Sequence, residues 1–339
     1  MDSAKARDAV GLAVHAANEL MGLDSKVWLE RIENQHRDFE SALGWLLDHG
    51  DHDDALRMAS ALYDFWRLTG RTAEGRSWMD RALNSGIKDA AMMAEAYYRY
   101  GLLAFWQGND EVAESSLQHS LRIARQIGDP TAIAVALCGL ARVALRADDL
   151  DQARSLCNQA LKAVDGTDDK EGRQNALHVL AVTAQMRGDL VEARDRMTQR
   201  MELARGLGNF GGVAGDASNL SHVERRLGNL ARAEELAVEA IQIADRRGDE
   251  WMIPYVLNAL AACAVEATQF KRATQLLGVA SLMVEQQGAA WPPDEAPLFE
   301  QSRAAVEQAL SAEDYEAAWS AGRAMPVSEI VSFALATAR

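Results

Sequence analysis

The chain has 339 residues, more than a typical single globular domain, so two domains or one elongated array is the starting expectation. A formal net charge of −15 disfavours DNA or RNA binding, which draws on clustered Lys and Arg, and only six prolines interrupt a composition suited to helices. Cys138, Cys157 and Cys263 include no CxxC pair, so neither a disulfide framework nor a zinc site is indicated and small buried thiols are expected.

Residues 1–86 read as an N-terminal helical segment of irregular spacing. Ala9 to Ala17 is a short apolar run containing His15 and bracketed by Asp8 and Glu19, which predicts an amphipathic helix rather than a signal peptide. No apolar run approaches the ~20 residues of a membrane span, so a cytoplasmic protein with no membrane contact is expected. Gly50-Asp51 and Gly70 mark breaks. His49 and His52 stand beside Asp51, Asp53 and Asp54 at one such break, where exposed polar residues are expected anyway, and no metal site is assigned to them.

Residues 87–290 carry five copies of a 40-residue repeat. Its turns are Gly108-Asn109-Asp110, Asp148-Asp149-Leu150, Gly188-Asp189-Leu190, Gly228-Asn229-Leu230 and the degenerate Thr268-Gln269-Phe270. Shortly after each turn, always at the same offset, comes an alanine: Ala113, Ala153, Ala193, Ala233 and Ala273. A second turn lies half a repeat away, at Gly128-Asp129, Asp168-Asp169, Gly208-Asn209 and Gly248-Asp249, so each unit holds two helices. Apolar positions Leu117, Cys157, Met197, Ala237 and Leu277 keep the same phase, as do the small residues Gly101, Ala141, Ala181, Ser221 and Ala261. One helix pair leaves its apolar stripe half covered, and stacked neighbours complete the core.

Residues 291–339 read as a C-terminal helical cap. Pro292, Pro293 and Pro297 define a connector in which Asp294 and Glu295 are expected to be surface charges. The fold class is therefore all-α, a solenoid of antiparallel helix pairs. HExxH, GxSxG and paired-cysteine motifs are missing and the histidines are scattered, so no enzyme activity, catalytic residue or cofactor is expected.

The small-residue, apolar and turn pattern resembles the tetratricopeptide repeat over about residues 94 to 288, although that family's usual period is 34 residues. The resemblance implies a right-handed superhelix whose concave groove is lined by the first helix of each unit. Carrying the family's inner-face offsets across gives the rows Tyr98, Cys138, His178, Ser218, Asn258 and Leu102, Arg142, Val182, His222, Ala262. A third row holds Phe105 with Trp106, Arg146, Gln185, and Arg225 with Arg226, and Arg99 and Asn219 lie nearby. The candidate ligand-binding residues are thus Tyr98, Arg99, Phe105, Trp106, Arg142, Arg146, His178, Gln185, Asn219, His222, Arg225 and Asn258. Their chemistry suits a protein or peptide partner, or a small anionic effector, since arginine forks recognise carboxylates and phosphates; self-association is a further expectation, and direct nucleic-acid contact is not.

The flanks resemble a narrower family. Trp28-Leu29-Glu30-Arg31-Ile32-Glu33-Asn34-Gln35-His36, the later Phe65-Trp66 and Glu74-Gly75-Arg76, and Tyr315-Glu316-Ala317-Ala318-Trp319 through Met325 look like the sensor region of AfsR-like and LuxR-type regulators of the STAND (NB-ARC) class. In that family a tetratricopeptide array acts as sensor and scaffold beside an ATPase and a DNA-binding module. A GxxxxGK[ST] phosphate loop is missing and the chain stops at Arg339, so the expected role is a ligand- or protein-binding section of such a regulator, with a stand-alone peptide receptor or adaptor as the alternative.

Overall fold

In the computed structural model residues 1–336 are described, and among them are 19 helices and no strand. The N-terminal helices are α1 (Ser3–Glu19), α2 (Ser25–Asn34), α3 (His36–Asp48), α4 (His52–Ala61), α5 (Tyr63–Leu68) and α6 (Thr72–Leu83). The repeat follows as α7 (Ala90–Trp106), α8 (Asp110–Ile127), α9 (Pro130–Arg146), α10 (Leu150–Ala163), α11 (Lys170–Arg187), α12 (Leu190–Gly206), α13 (Phe210–Arg226), α14 (Leu230–Arg247), α15 (Ile253–Glu266) and α16 (Phe270–Gln286). Helices α17 (Ala296–Ala309), α18 (Ala312–Arg323) and α19 (Val327–Leu335) close the chain; the predicted cap extends to residues 337–339, which lie outside the described residues.

The long period has a simple origin. Helix starts at Ala90, Asp110, Pro130, Leu150, Lys170, Leu190, Phe210 and Leu230 are spaced by half a repeat, and most of these helices fill nearly the whole interval. A helix such as α7 is about 26 Å long, so the extra length over the usual repeat lies in helices while the turns stay short. The turns are built as their composition predicts. Gly108 (φ 73°), Gly188 (85°) and Gly228 (86°) take the left-handed conformation that ends a helix. Side-chain oxygens of Asn109, Asp129, Asp149 and Asn209 then accept from the backbone N–H of Val112, Ala132, Gln152 and Gly212.

Two repeats lack glycine there, and Asp148 (φ 58°) and Thr268 (φ 59°) occupy the left-handed region instead. For a β-branched residue this conformation is strained. Thr268 is exposed, so Thr268→Gly is expected to stabilise the fold by about 0.5–1 kcal/mol, read as a raised midpoint in urea denaturation. An unchanged or lowered midpoint contradicts the strain.

The chain divides into two compact units, Met1–Leu180 and Ala181–Arg339. In the first, α1 packs on α3 and α4, α4 on α6, and both α4 and α6 on α7. Phe65, Trp66 and Met79 fill that core, and Gly75 of α6 meets the Trp66 ring so closely that a Cβ there would lie 2.7 Å from it. Further along, Leu117 of α8 sits in a slot between Gly101 of α7 and Gly139 of α9, which explains a small residue at that phase. In the second unit α12 to α16 pack successively, α17 and α18 lie on α16, and α19 contacts α14. All five repeat alanines, Ala113 to Ala273, are fully buried, together with Leu117, Cys157, Met197, Ala237 and Leu277. The three cysteines are buried free thiols, and desolvation pushes Cys263 up to about 11, so they are packing groups. Among the described residues no helix is long and apolar enough to cross a membrane.

Candidate functional site

The first helix of each repeat presents the predicted residues, and their partners sort them into three kinds. The first kind braces one repeat to the next. Arg146 Nη1 donates to the Phe105 carbonyl (2.7 Å) and to Asp110 Oδ1 (3.1 Å), with the guanidinium 3.8 Å over the Phe105 ring. Arg226 Nη1 donates to the Gln185 carbonyl (2.9 Å), and Arg225 Nη1 to Glu266 Oε1 (2.8 Å). The bonds from Arg146 to Phe105, Arg226 to Gln185 and Arg225 to Glu266 all have the same sequence separation, one repeat plus one position. The expected basic cluster is therefore engaged internally at Arg146 and Arg225, because neighbouring helix ends offer carbonyls and acids at that distance. Phe105 belongs to the core and is not a groove anchor; Trp106 packs edge-on against it, ring centroids 5.0 Å apart.

The second kind is closed over, and it lies in the second unit. Gln185, Asn219, His222 and Asn258 are all buried. The connector folds back and delivers Glu295, itself 3% exposed, to this face. His222 Nε2 donates to Glu295 Oε1 (2.9 Å) and Asn258 Nδ2 donates to Glu295 Oε2 (2.8 Å) and to the Glu295 carbonyl (3.3 Å). An edge-and-stack series Trp251, Tyr255, Trp291, Phe299 holds the connector beside it, with centroids 5.9, 5.8 and 4.7 Å apart. Glu295 is thus not the surface charge its loop position predicts. The signal available in the sequence is the proline-stiffened context: Pro292, Pro293 and Pro297 limit the connector's conformations and fix where Trp291 and Glu295 point.

The third kind stays accessible, and it lies in the first unit. Tyr98, Arg99, Arg142 and His178 are half-buried. Arg99 donates to the Ser60 carbonyl (2.7 Å), pairs with Glu95 (2.7 Å) and lies 5.4 Å from the Tyr63 ring centre. Desolvation raises the Tyr98 phenol well above its ordinary value, and the Arg142 charge works against that rise. Glu171 is raised by desolvation while Arg99 holds it down, although its side chain is reached by water. Among the described residues Arg142 makes no hydrogen bond or ion pair, in contrast to Arg99 and Arg146.

A further cluster has no counterpart among the residues that the spacing singles out. His36, Glu40 and Glu74 place ligand-type atoms within 4.8 Å of one another. His36 Nε2 donates to Glu74 Oε1 (2.6 Å), which also accepts from Trp66 Nε1 (3.1 Å), while Glu40 stands 3.8 Å from the other ring nitrogen. The direct His36–Glu74 bond ties α3 to α6. His49 instead stacks on Trp45 at 4.1 Å and bonds its carbonyl.

Comparison with known proteins fits this geometry. The family model for the tetratricopeptide repeat matches residues 92–164 and 132–206. The "Putative HTH-type transcriptional regulator Rv0890c" of Mycobacterium tuberculosis is 24% identical over 297 residues, 81% of this chain, and a Mycobacterium bovis relative matches equally. The chain spans only 33% of those relatives' length. Among solved structures, a Rap protein complexed with competence and sporulation factor has a TM-score of 0.56 at 15% identity, covering 98% of this chain and 100% of that one. NprR in complex with its cognate peptide NprX has a TM-score of 0.54 at 15% identity, covering 95% and 90%. Residues 92–206 are tetratricopeptide repeats, and the chain as a whole has the helical-repeat fold of these proteins.

Proposed function

We propose that this chain is the sensor and scaffold section of a bacterial transcriptional regulator, of the AfsR-like or LuxR-type STAND class, and that it takes a protein or peptide partner on the exposed face of its first helices. The observation that carries this is the match along 297 residues to regulators of which the chain spans one third. The first unit supports it with an accessible face of Tyr98, Arg99 and Arg142, whose chemistry is recognition rather than catalysis: cations and a phenol, with no nucleophile set beside a base. The test is to express the entire reading frame and measure binding to its own upstream DNA with and without residues 90–286. A larger polypeptide that binds DNA, with affinity or oligomeric state altered by removing the repeats, is the expected result. A polypeptide that binds no DNA overturns it.

That outcome favours the second reading, a self-contained peptide receptor. Its support is extent: the Rap fold, solved with a peptide factor, aligns with 98% of this chain and leaves none of its own length over.

A further inference from the structure

The second unit holds a carboxylate on the face of its first helices, and the repeat phase locates the equivalent position in the first unit. His222 lies as far into α13, which begins at Phe210, as Arg142 lies into α9, which begins at Pro130. The two stand two whole repeats apart, and His178 stands in the same relation to Asn258. At the later position a donor side chain meets Glu295, brought in by the connector. No such connector is available to α9, because the turns between α7 and α11 are short, the longest covering only 164–169.

What occupies that register in the first unit is an arginine, a permanent cation with five N–H donors. Arg142 is half-buried, and its field reaches the Tyr98 phenol and the Cys138 thiol, on which the acids Glu171 and Asp169 also act. Both ends of its guanidinium fork lack a carboxylate, while Arg146 one turn later already has Asp110 and a carbonyl. A half-buried cation with no carboxylate in ion-pair reach gains more from an arriving carboxylate than an exposed one does.

We propose that Arg142 recognises an acidic side chain on an extended peptide, the intermolecular counterpart of the Glu295 contact in the second unit. This rests on the reading that the first-helix face takes a peptide, and it names the ligand's chemistry: a carboxylate rather than an apolar or basic group.

The probe is a fluorescein-labelled synthetic peptide with the sequence of residues 289–298, and a counterpart with lysine replacing both acids, titrated into the full chain. Saturable binding of the acidic peptide, weakening with salt, is expected. Arg142→Gln is expected to weaken it about tenfold or more, with helicity and thermal midpoint unchanged, and Arg142→Lys to restore part of it. His222→Ala and the exposed Arg125→Gln on α8 are expected to leave affinity within about twofold, which separates this site from the closed one. Free glutamate, a carboxylate without the extended chain, is expected not to compete at peptide concentrations. Preference for the lysine peptide overturns the acidic assignment while leaving peptide recognition in place. Acidic-peptide binding that ignores Arg142→Gln, equal competition by glutamate, or no binding of either peptide overturns the proposal, and the parent reading is then decided separately by DNA binding.

Discussion

Gly322→Ala is expected to destabilise the second unit by about 2–3 kcal/mol, a large effect for one methyl group. Helices α16 and α18 cross where Gly278 faces the Trp319 carbonyl and Gly322 faces the backbone of Gln275. A Cβ on Gly322 would fall on the Gln275 carbonyl oxygen and lie 2.9 Å from its Cα. Those are main-chain atoms of a packed helix, so relief requires the two axes to separate rather than a side chain to turn. Helix propensity pulls the other way, since alanine is better than glycine by about 1 kcal/mol, and the expected figure is net of that. The ion pairs flanking the crossing, Arg323 with Glu285 (2.8 Å) and Lys271 with Asp314 (2.7 Å), involve exposed groups and contribute little to holding it. Thermal unfolding of the variant beside Gly11→Ala is the measurement. Gly11 of α1 has nothing within 4 Å of the added methyl group, so that control should be unchanged or slightly stabilised. Equal midpoints for the two variants would show that α16 and α18 yield without cost.

How far the structure is readable from residues alone differs from one feature to the next. The 40-residue phase is legible because it depends on local chemistry: a left-handed residue, a capping side chain and a small residue at a helix contact recur wherever the same turn and crossing recur. That is why Ala113 to Ala273 and Leu117 to Leu277 are buried as their phase predicts. The same phase singles out Tyr98, Arg142 and His178, which are half-buried in the first unit. It misplaces Phe105, because a residue one position off the inner row points into the core. It gives no warning of the Arg146 brace, whose acceptor is a backbone carbonyl and so carries no sequence signature. The internal occupant of the second unit is illegible for another reason. Glu295 reaches His222 from 73 residues away and Asn258 from 37, through a connector outside the repeat. Periodicity describes what helices do to their neighbours in the stack and is silent about a loop that returns.

The strength of that returning contact is itself testable. Glu295→Ala removes the carboxylate shared by two buried donors, leaving His222 Nε2 desolvated without its acceptor and Asn258 Nδ2 with only the longer bond to the residue-295 carbonyl. Stranding such groups is costly, and a loss of about 2–4 kcal/mol is expected. Glu295→Gln is expected to cost less, because the amide oxygen still accepts from one donor while its NH2 faces the other. Pairing Glu295→Ala with His222→Ala separates the contact from the packing: if the His222 bond carries much of the loss, the double variant is more stable than the sum of the single effects implies. The connector gives a local readout as well. Without the Glu295 anchor, amide hydrogens of residues 288–296 are expected to exchange faster, whereas the core of the first unit keeps its protection. Rapid exchange without loss of stability would mean that the aromatic series, not the carboxylate, carries the connector's energy. Unchanged exchange together with a loss below about 0.5 kcal/mol would remove the premise that this face is built to hold an acid. Recognition of an acid by Arg142 shares that premise, since a contact that stabilises one unit from within is the reason to expect the same register to bind from without.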